Sequence, residues 1–210
     1  MSRGIRDPMT RLGITNKDWG VCGFTSTMYA MYDLHPATRP YVINASSAWR
    51  ILAEIKTYLN ILKAENSNLL DGIRDFTRSF GAPHDTFTID DYIKRVSDGA
   101  AMNKTRQQIL SDERYGIGMP PQAVADYVQR IWEWKATVTE FAVGSGGGDG
   151  IIGVTEDNMP LYHGLCHYMY RSGATIYSWG QSFNSVEAAA KGGAGGAKWR
   201  VCYVISLQRP

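Results

Sequence analysis

The sequence predicts an α+β fold, with helices first and strands last. Up to Trp134 the apolar residues recur at helical spacing, and after Lys135 they fall into short, strand-sized runs. The two patterns are segregated rather than interleaved, which argues against βαβ units and a parallel sheet. The 210 residues are read as a single domain, 1–210, with a helical part at about 22–135 packed on a C-terminal antiparallel sheet at about 136–210.

In chain order, Gly20 marks a turn, and Cys22 opens a helix carrying Phe24, Met28, Met31 and Tyr32, which ends near His35-Pro36. The next helix has Asn44 or Ser46 as its cap, with Trp49, Leu52, Ile55, Leu59 and Leu62 on one face. Another starts at Ser67, carries Leu69, Leu70, Ile73 and Phe76, and stops at Gly81 and Pro83. Thr88 with Asp91 resembles a capping box for a short helix through Val96. A further helix covers Lys104 to Leu110, and Pro120-Pro121 pre-sets one bearing Val124, Tyr127, Ile131 and Trp134.

Ala136 to Val143 then reads as a strand, and Gly144 to Gly150 as a flexible loop. Cys166–Arg171 and Thr175–Trp179 read as a hairpin turning at Ser172-Gly173. Ala188 to Ala197 is a second flexible stretch, and Trp199 to Leu207 a final strand.

Composition narrows the function. With 22 basic and 20 acidic residues the net charge is +2, which gives no reason to expect a polyanionic partner, and no basic run is interleaved with aromatics. Nucleic acid is therefore not an expected partner. Nor is a membrane, because the apolar runs are far short of the roughly 20 residues a bilayer requires. Met1 to Leu12 has arginines but no apolar core, so it is not read as a secretory signal, and the expected location is cytoplasmic or outside the cell by a signal-independent route. The three cysteines, Cys22, Cys166 and Cys202, are widely spaced with no CxxC pair, so no metal or other cofactor is expected.

Three places carry chemistry. The first is Asn16-Lys17-Asp18-Trp19-Gly20-Val21-Cys22-Gly23-Phe24-Thr25. A cysteine at a helix start sits where free N–H groups and the helix dipole favour a thiolate. Its own N–H and the carboxamide of Asn16 are candidate oxyanion donors. The second is His163-Gly164-Leu165-Cys166-His167. A thiol nucleophile needs a base, and His167, opening a strand, is the better candidate, with His163 the rival. Strand alternation would point Cys166 away from His167. His35 and His84, both beside prolines, read as surface loop residues. The third is Ile176-Tyr177-Ser178-Trp179-Gly180. A turn at Ser172-Gly173 places Ser178 opposite His167, ready to accept the imidazole N–H, and Gln181 or Asn184 would serve if the hairpin were longer.

These residues resemble the papain-like cysteine peptidase superfamily. The upstream carboxamide, Cys-Gly start and helix are similar to the bacteriocin-processing peptidases of the ABC-transporter class, with Asn16 in place of Gln. The Cys22-Gly23-Phe24 start is loosely similar to that of cell-wall amidases. Tyr177-Ser178-Trp179-Gly180 resembles the Asn-Ser-Trp-Gly segment of papain-like proteases, with Tyr177 where the family has Asn. The resemblance implies a papain-like fold and a cysteine hydrolase acting through a thioester, with Cys22, His167, Ser178 and Asn16 as site residues. The reaction class would be peptidase, deamidase or amidase on a protein or peptide substrate. The lack of a secretory signal also suits a bacterial effector or toxin delivered by a specialised machine, for which a cognate inhibitor is expected. Two other readings stay open: an inactive papain-like interaction module, and, more weakly, a metal site built from His163, His167 and a cysteine.

Overall fold

The computed structural model describes residues 20–45, 48–157, 159–193 and 198–210. Its fold is α+β, with a six-stranded antiparallel sheet.

Helix α1, Cys22–Leu34, is buried on nearly every side from Gly23 to Tyr32 and packs on the strand Leu165–Ser172. A helix buried on every side belongs in the centre of a fold, and its Thr25 and Thr27 hydroxyls donate to the Val21 and Gly23 carbonyls. It ends at His35 because a residue before proline avoids helical dihedrals. Helix α2, Arg39–Ala45, was not anticipated, and it contains Asn44, one of the two expected caps of the next helix. The other, Ser46, lies outside the described residues. Helix α3, Ala48–Ala64, buries Ile51, Leu52, Ile55, Tyr58, Leu59 and Leu62. Helix α4 spans Leu69–Arg78, with Ser67 Oγ accepting from the Leu69 N–H.

Helix α5, Ile89–Ala101, starts where expected, with Thr88 Oγ1 accepting from the Asp91 N–H at 3.1 Å. It continues five residues past Val96. Gly99 lies in that extension, where a Cβ would stand 2.4 Å from the Tyr115 hydroxyl and 2.7 Å from Trp49. Helix α6, Arg106–Leu110, carries a full capping box from Thr105 and Gln108. Helix α7, Pro121–Ile131, has its proline at the first turn, and Trp134 lies beyond its end.

The strand order is β1-β6-β2-β3-β4-β5. The strands are β1 (Lys135–Glu140), β2 (Gly150–Thr155), β3 (Leu165–Ser172), β4 (Thr175–Ser178), β5 (Gln181–Phe183) and β6 (Arg200–Gln208). Strands β2 and β5 have no counterpart in the sequence reading. All six residues of β2 are buried, because it lies between β6 and β3 and is covered on both faces. Such a strand shows no alternation to detect. The expected flexible stretch from Ala188 is instead the end of a short helix, α8 (Val186–Gly193), whose Glu187–Lys191 pair spans one turn. Residues 194–197 lie outside the described residues.

The sheet divides the core in two. Tyr168, Tyr170, Tyr203 and Ile205 face the helices α1–α7, while Ile152, Met169 and Val204 pack with Ala189 of α8 on the other side. One glycine fixes the start of β2. Gly150 has φ +131°, and a Cβ there would stand 2.4 Å from the Ile205 carbonyl oxygen of the adjacent strand. Gly150→Ala is expected to cost about 2–4 kcal/mol, combining backbone strain with a clash that a strand backbone cannot relieve. Urea denaturation would measure this as a lowered midpoint.

Candidate active site

A cavity of about 500 Å³ opens where β3 begins, lined by Cys22, Cys166, His167, Tyr168, Trp179 and Trp199 among others. Cys22 and His167 reach it from different elements: Cys22 is the first residue of α1, and His167 lies near the start of β3.

His167 is 8 % exposed and tightly held. Its Nε2 is 2.8 Å from Ser178 Oγ. Trp179 stacks on the imidazole with centroids 4.8 Å apart and planes 9° apart, and Trp199 lies at 5.1 Å and 31°. Ser178 therefore makes the contact expected of it, by a different register. The β3–β4 turn falls at Gly173-Ala174, with Ser172 paired to Thr175 and Tyr170 to Tyr177. Moving the turn by one residue shifts the pairing by two positions, and an even shift keeps Ser178 on His167's face of the sheet. Gln181, on edge strand β5, and Asn184 are exposed and are not the partners of His167. Tyr177 points to the opposite face, between Tyr29 and Tyr170.

The turn that delivers Trp179 is strained. Trp179 and Gly180 have φ +48° and +71°, forming a two-residue hairpin turn between Ser178 and Gln181. The Gly180 N–H donates to the Tyr29 hydroxyl of α1 at 2.7 Å, and Gly193 of α8 sits against the indole, where a Cβ would meet the ring at 2.2 Å. A non-glycine residue in this conformation persists only where its surroundings hold it.

Cys166 contradicts the alternation argument. Val154 pairs with His167 but Thr155 pairs with Leu165, so Cys166 is the extra residue of a β-bulge. The bulge lets adjacent Cys166 and His167 line the same cavity. Cys166 Sγ lies 3.4 Å from the Val154 carbonyl oxygen, and its thiol is pushed up by burial, then by Glu156 and Cys22.

The electrostatics of the resting site depart from the expected thiolate. Burial pushes the Cys22 thiol up to about 11, although the backbone N–H groups of Tyr168, Gly23 and Cys22 work against it. Cys22 as a residue is half-buried and lines the cavity, while its thiol is poorly solvated. Burial alone drives His167 down to about 3. At neutral pH the site holds a thiol and a neutral imidazole. The helix N-terminus does favour the thiolate, but desolvation is the larger effect.

The rival histidine is elsewhere. His163 has φ +56° in the turn Tyr162–Gly164, is half-exposed, and places Nε2 2.8 Å from Glu140 Oε1. His84, read as a surface residue, lines the cavity, and burial lowers its pKa. His35 is also partly buried, packed on Trp134 at 5.6 Å. Trp199, Glu113 and Glu156 line the cavity without any sequence signal that marked them. Asn16 lies outside the described residues. Among the described residues no group of three His, Cys, Asp or Glu side chains could hold a metal ion, and no helix is long and apolar enough to cross a membrane.

No protein-family model, curated protein or solved structure matches the chain.

Proposed function

We propose that the chain is a cysteine-dependent acyl-transfer enzyme of papain-like type, a peptidase or an amidase/deamidase. The supporting observation is the shared cavity: a cysteine at a helix N-terminus and a histidine whose Nε2 is held by Ser178 both line it. With Nε2–H donated to Ser178, Nδ1 is left as the base. It takes the Cys22 proton as the sulfur attacks a substrate carbonyl, then gives that proton to the leaving amine. Water attacks the resulting thioester, with His167 again taking a proton, and the acid product and the Cys22 thiol are released. The Cys22 N–H and Asn16 are the proposed oxyanion donors. Proton transfer accompanies attack rather than preceding it, in keeping with a neutral resting pair.

Trapping tests this reading. A peptidyl fluoromethyl ketone should label Cys22, mapped by mass spectrometry, much faster than iodoacetamide relative to a free thiol, and His167→Ala should remove the difference. Ser178→Ala is expected to lower kcat about 100-fold with little change in KM, the lower end of what a positioned base contributes. The pH–rate profile of that variant should also shift, which lost packing alone would not produce. The expectation of a bacterial effector or toxin extends the proposal to growth arrest on expression in a host cell, relieved by Cys22→Ala.

One observation favours a second reading, an inactive papain-like interaction module. A thiol raised to about 11 and an imidazole lowered to about 3, both lining one cavity, do not form a resting ion pair. In that case the fluoromethyl ketone and iodoacetamide react equally slowly, and His167→Ala changes neither rate.

A further inference from the structure

The charges around the cavity are one-sided. Glu113 and Glu156 line it, no lysine or arginine does so among the described residues, and His84 is kept toward its neutral form by burial. Between these polar groups the walls are apolar and aromatic, including Phe76, Phe80, Trp179 and Trp199. A volume of about 500 Å³ is ample for a long side chain beside the reacting carbonyl. An apolar wall suits a methylene stem, and carboxylates and ring faces both attract a cation at its tip.

We propose that this cavity selects substrates with a cationic side chain, of lysine or arginine type, next to the carbonyl that Cys22 attacks. The proposal rests on the acyl-transfer reading for the word substrate, but the charge selectivity of the cavity stands apart from turnover and is tested apart from it. Glu113 and Glu156 are its specificity-determining residues. Anionic substrates would be repelled by both carboxylates, so discrimination comes from repulsion as well as attraction.

The test uses charged thiol reagents on the full-length protein. Cys22 is labelled with trimethylammonium-ethyl methanethiosulfonate or with its sulfonatoethyl analogue, in a Cys166→Ala background at low ionic strength. Each rate is divided by that of free cysteine. The expected result is a cation preference of at least 10-fold, falling to within about 2-fold in Glu113→Gln/Glu156→Gln and shrinking with added salt. A ratio near one in the unsubstituted cavity, or a preference that survives both substitutions, overturns the proposal. A second readout does not depend on thiol reactivity. The indole N–H NMR signals of Trp179 and Trp199 should shift with Nα-acetyl-lysine methylamide and not with Nα-acetyl-glutamate methylamide, and equal responses overturn the proposal. Charge selectivity without turnover would leave this proposal standing and sink the enzyme reading, whereas turnover of uncharged peptides with no charge preference would do the reverse.

Discussion

Cys22→Ala is expected to abolish acyl transfer, with a loss of about 10⁴–10⁶-fold, while the protein stays folded. Removing the nucleophile of a covalent mechanism leaves only what binding and oxyanion stabilisation supply. The structural cost is small for a specific reason. Cys22 borders an existing cavity, so its truncation enlarges a space instead of creating one within packed core. The helix it opens is held by Phe24, Met28 and Met31, each essentially fully buried. Thermal denaturation should place the variant within a few degrees of the unsubstituted protein. His167→Ala should lose nearly as much activity, whereas His163→Ala should lose none, because His163 is tied to Glu140 and does not line the cavity. Activity that survives Cys22→Ala would remove the nucleophile from the proposal. Loss in His163→Ala with retention in His167→Ala would move the base.

The placement of Cys22 at a helix start and of His167 near the start of a strand was legible because both depend on local signals. Gly20 before Cys22 and proline after His35 delimit α1, and helical periodicity fills it. Ser178 was also found, since its side of the sheet depends only on parity, which survived a misplaced turn. What could not be read was whatever depends on tertiary neighbours. Strand β2 is buried on both faces and shows no period. The bulge at Cys166 is a mismatch between two strands, invisible in either one alone, and it turned a residue expected to pack away into a cavity residue. The same holds for the chemistry. A helix N-terminus can be inferred from sequence, but the depth at which its sulfur is desolvated cannot, and that depth sets the sign of the Cys22 shift.

Acid is expected to destabilise the fold through His167 in a defined window. An unfolded imidazole takes up its proton near pH 6.5, while in the fold burial holds this one down to about 3. Between those values the unfolded chain binds more protons than the folded one, so stability falls as pH drops from about 6.5 to about 3 and loses nothing more to this group below that. The contribution lost is about 2 kcal/mol by pH 5 and at most about 5 kcal/mol over the whole window. His84 is shifted the same way by burial, so total acid sensitivity is not diagnostic. The difference between the unsubstituted protein and His167→Gln isolates the contribution of this imidazole. Urea midpoints at pH 7.5, 6, 5 and 4 should fall less steeply in His167→Gln. Parallel slopes would mean that water already reaches the imidazole and that its charged form is tolerated. The same burial predicts the acid side of the activity profile. The base stays unprotonated well below pH 6.5, so kcat/KM should hold down to more acidic pH than a solvated histidine would permit. An acid limb centred near 6.5 would place the working base in solvent, outside the Trp179–Trp199 stack.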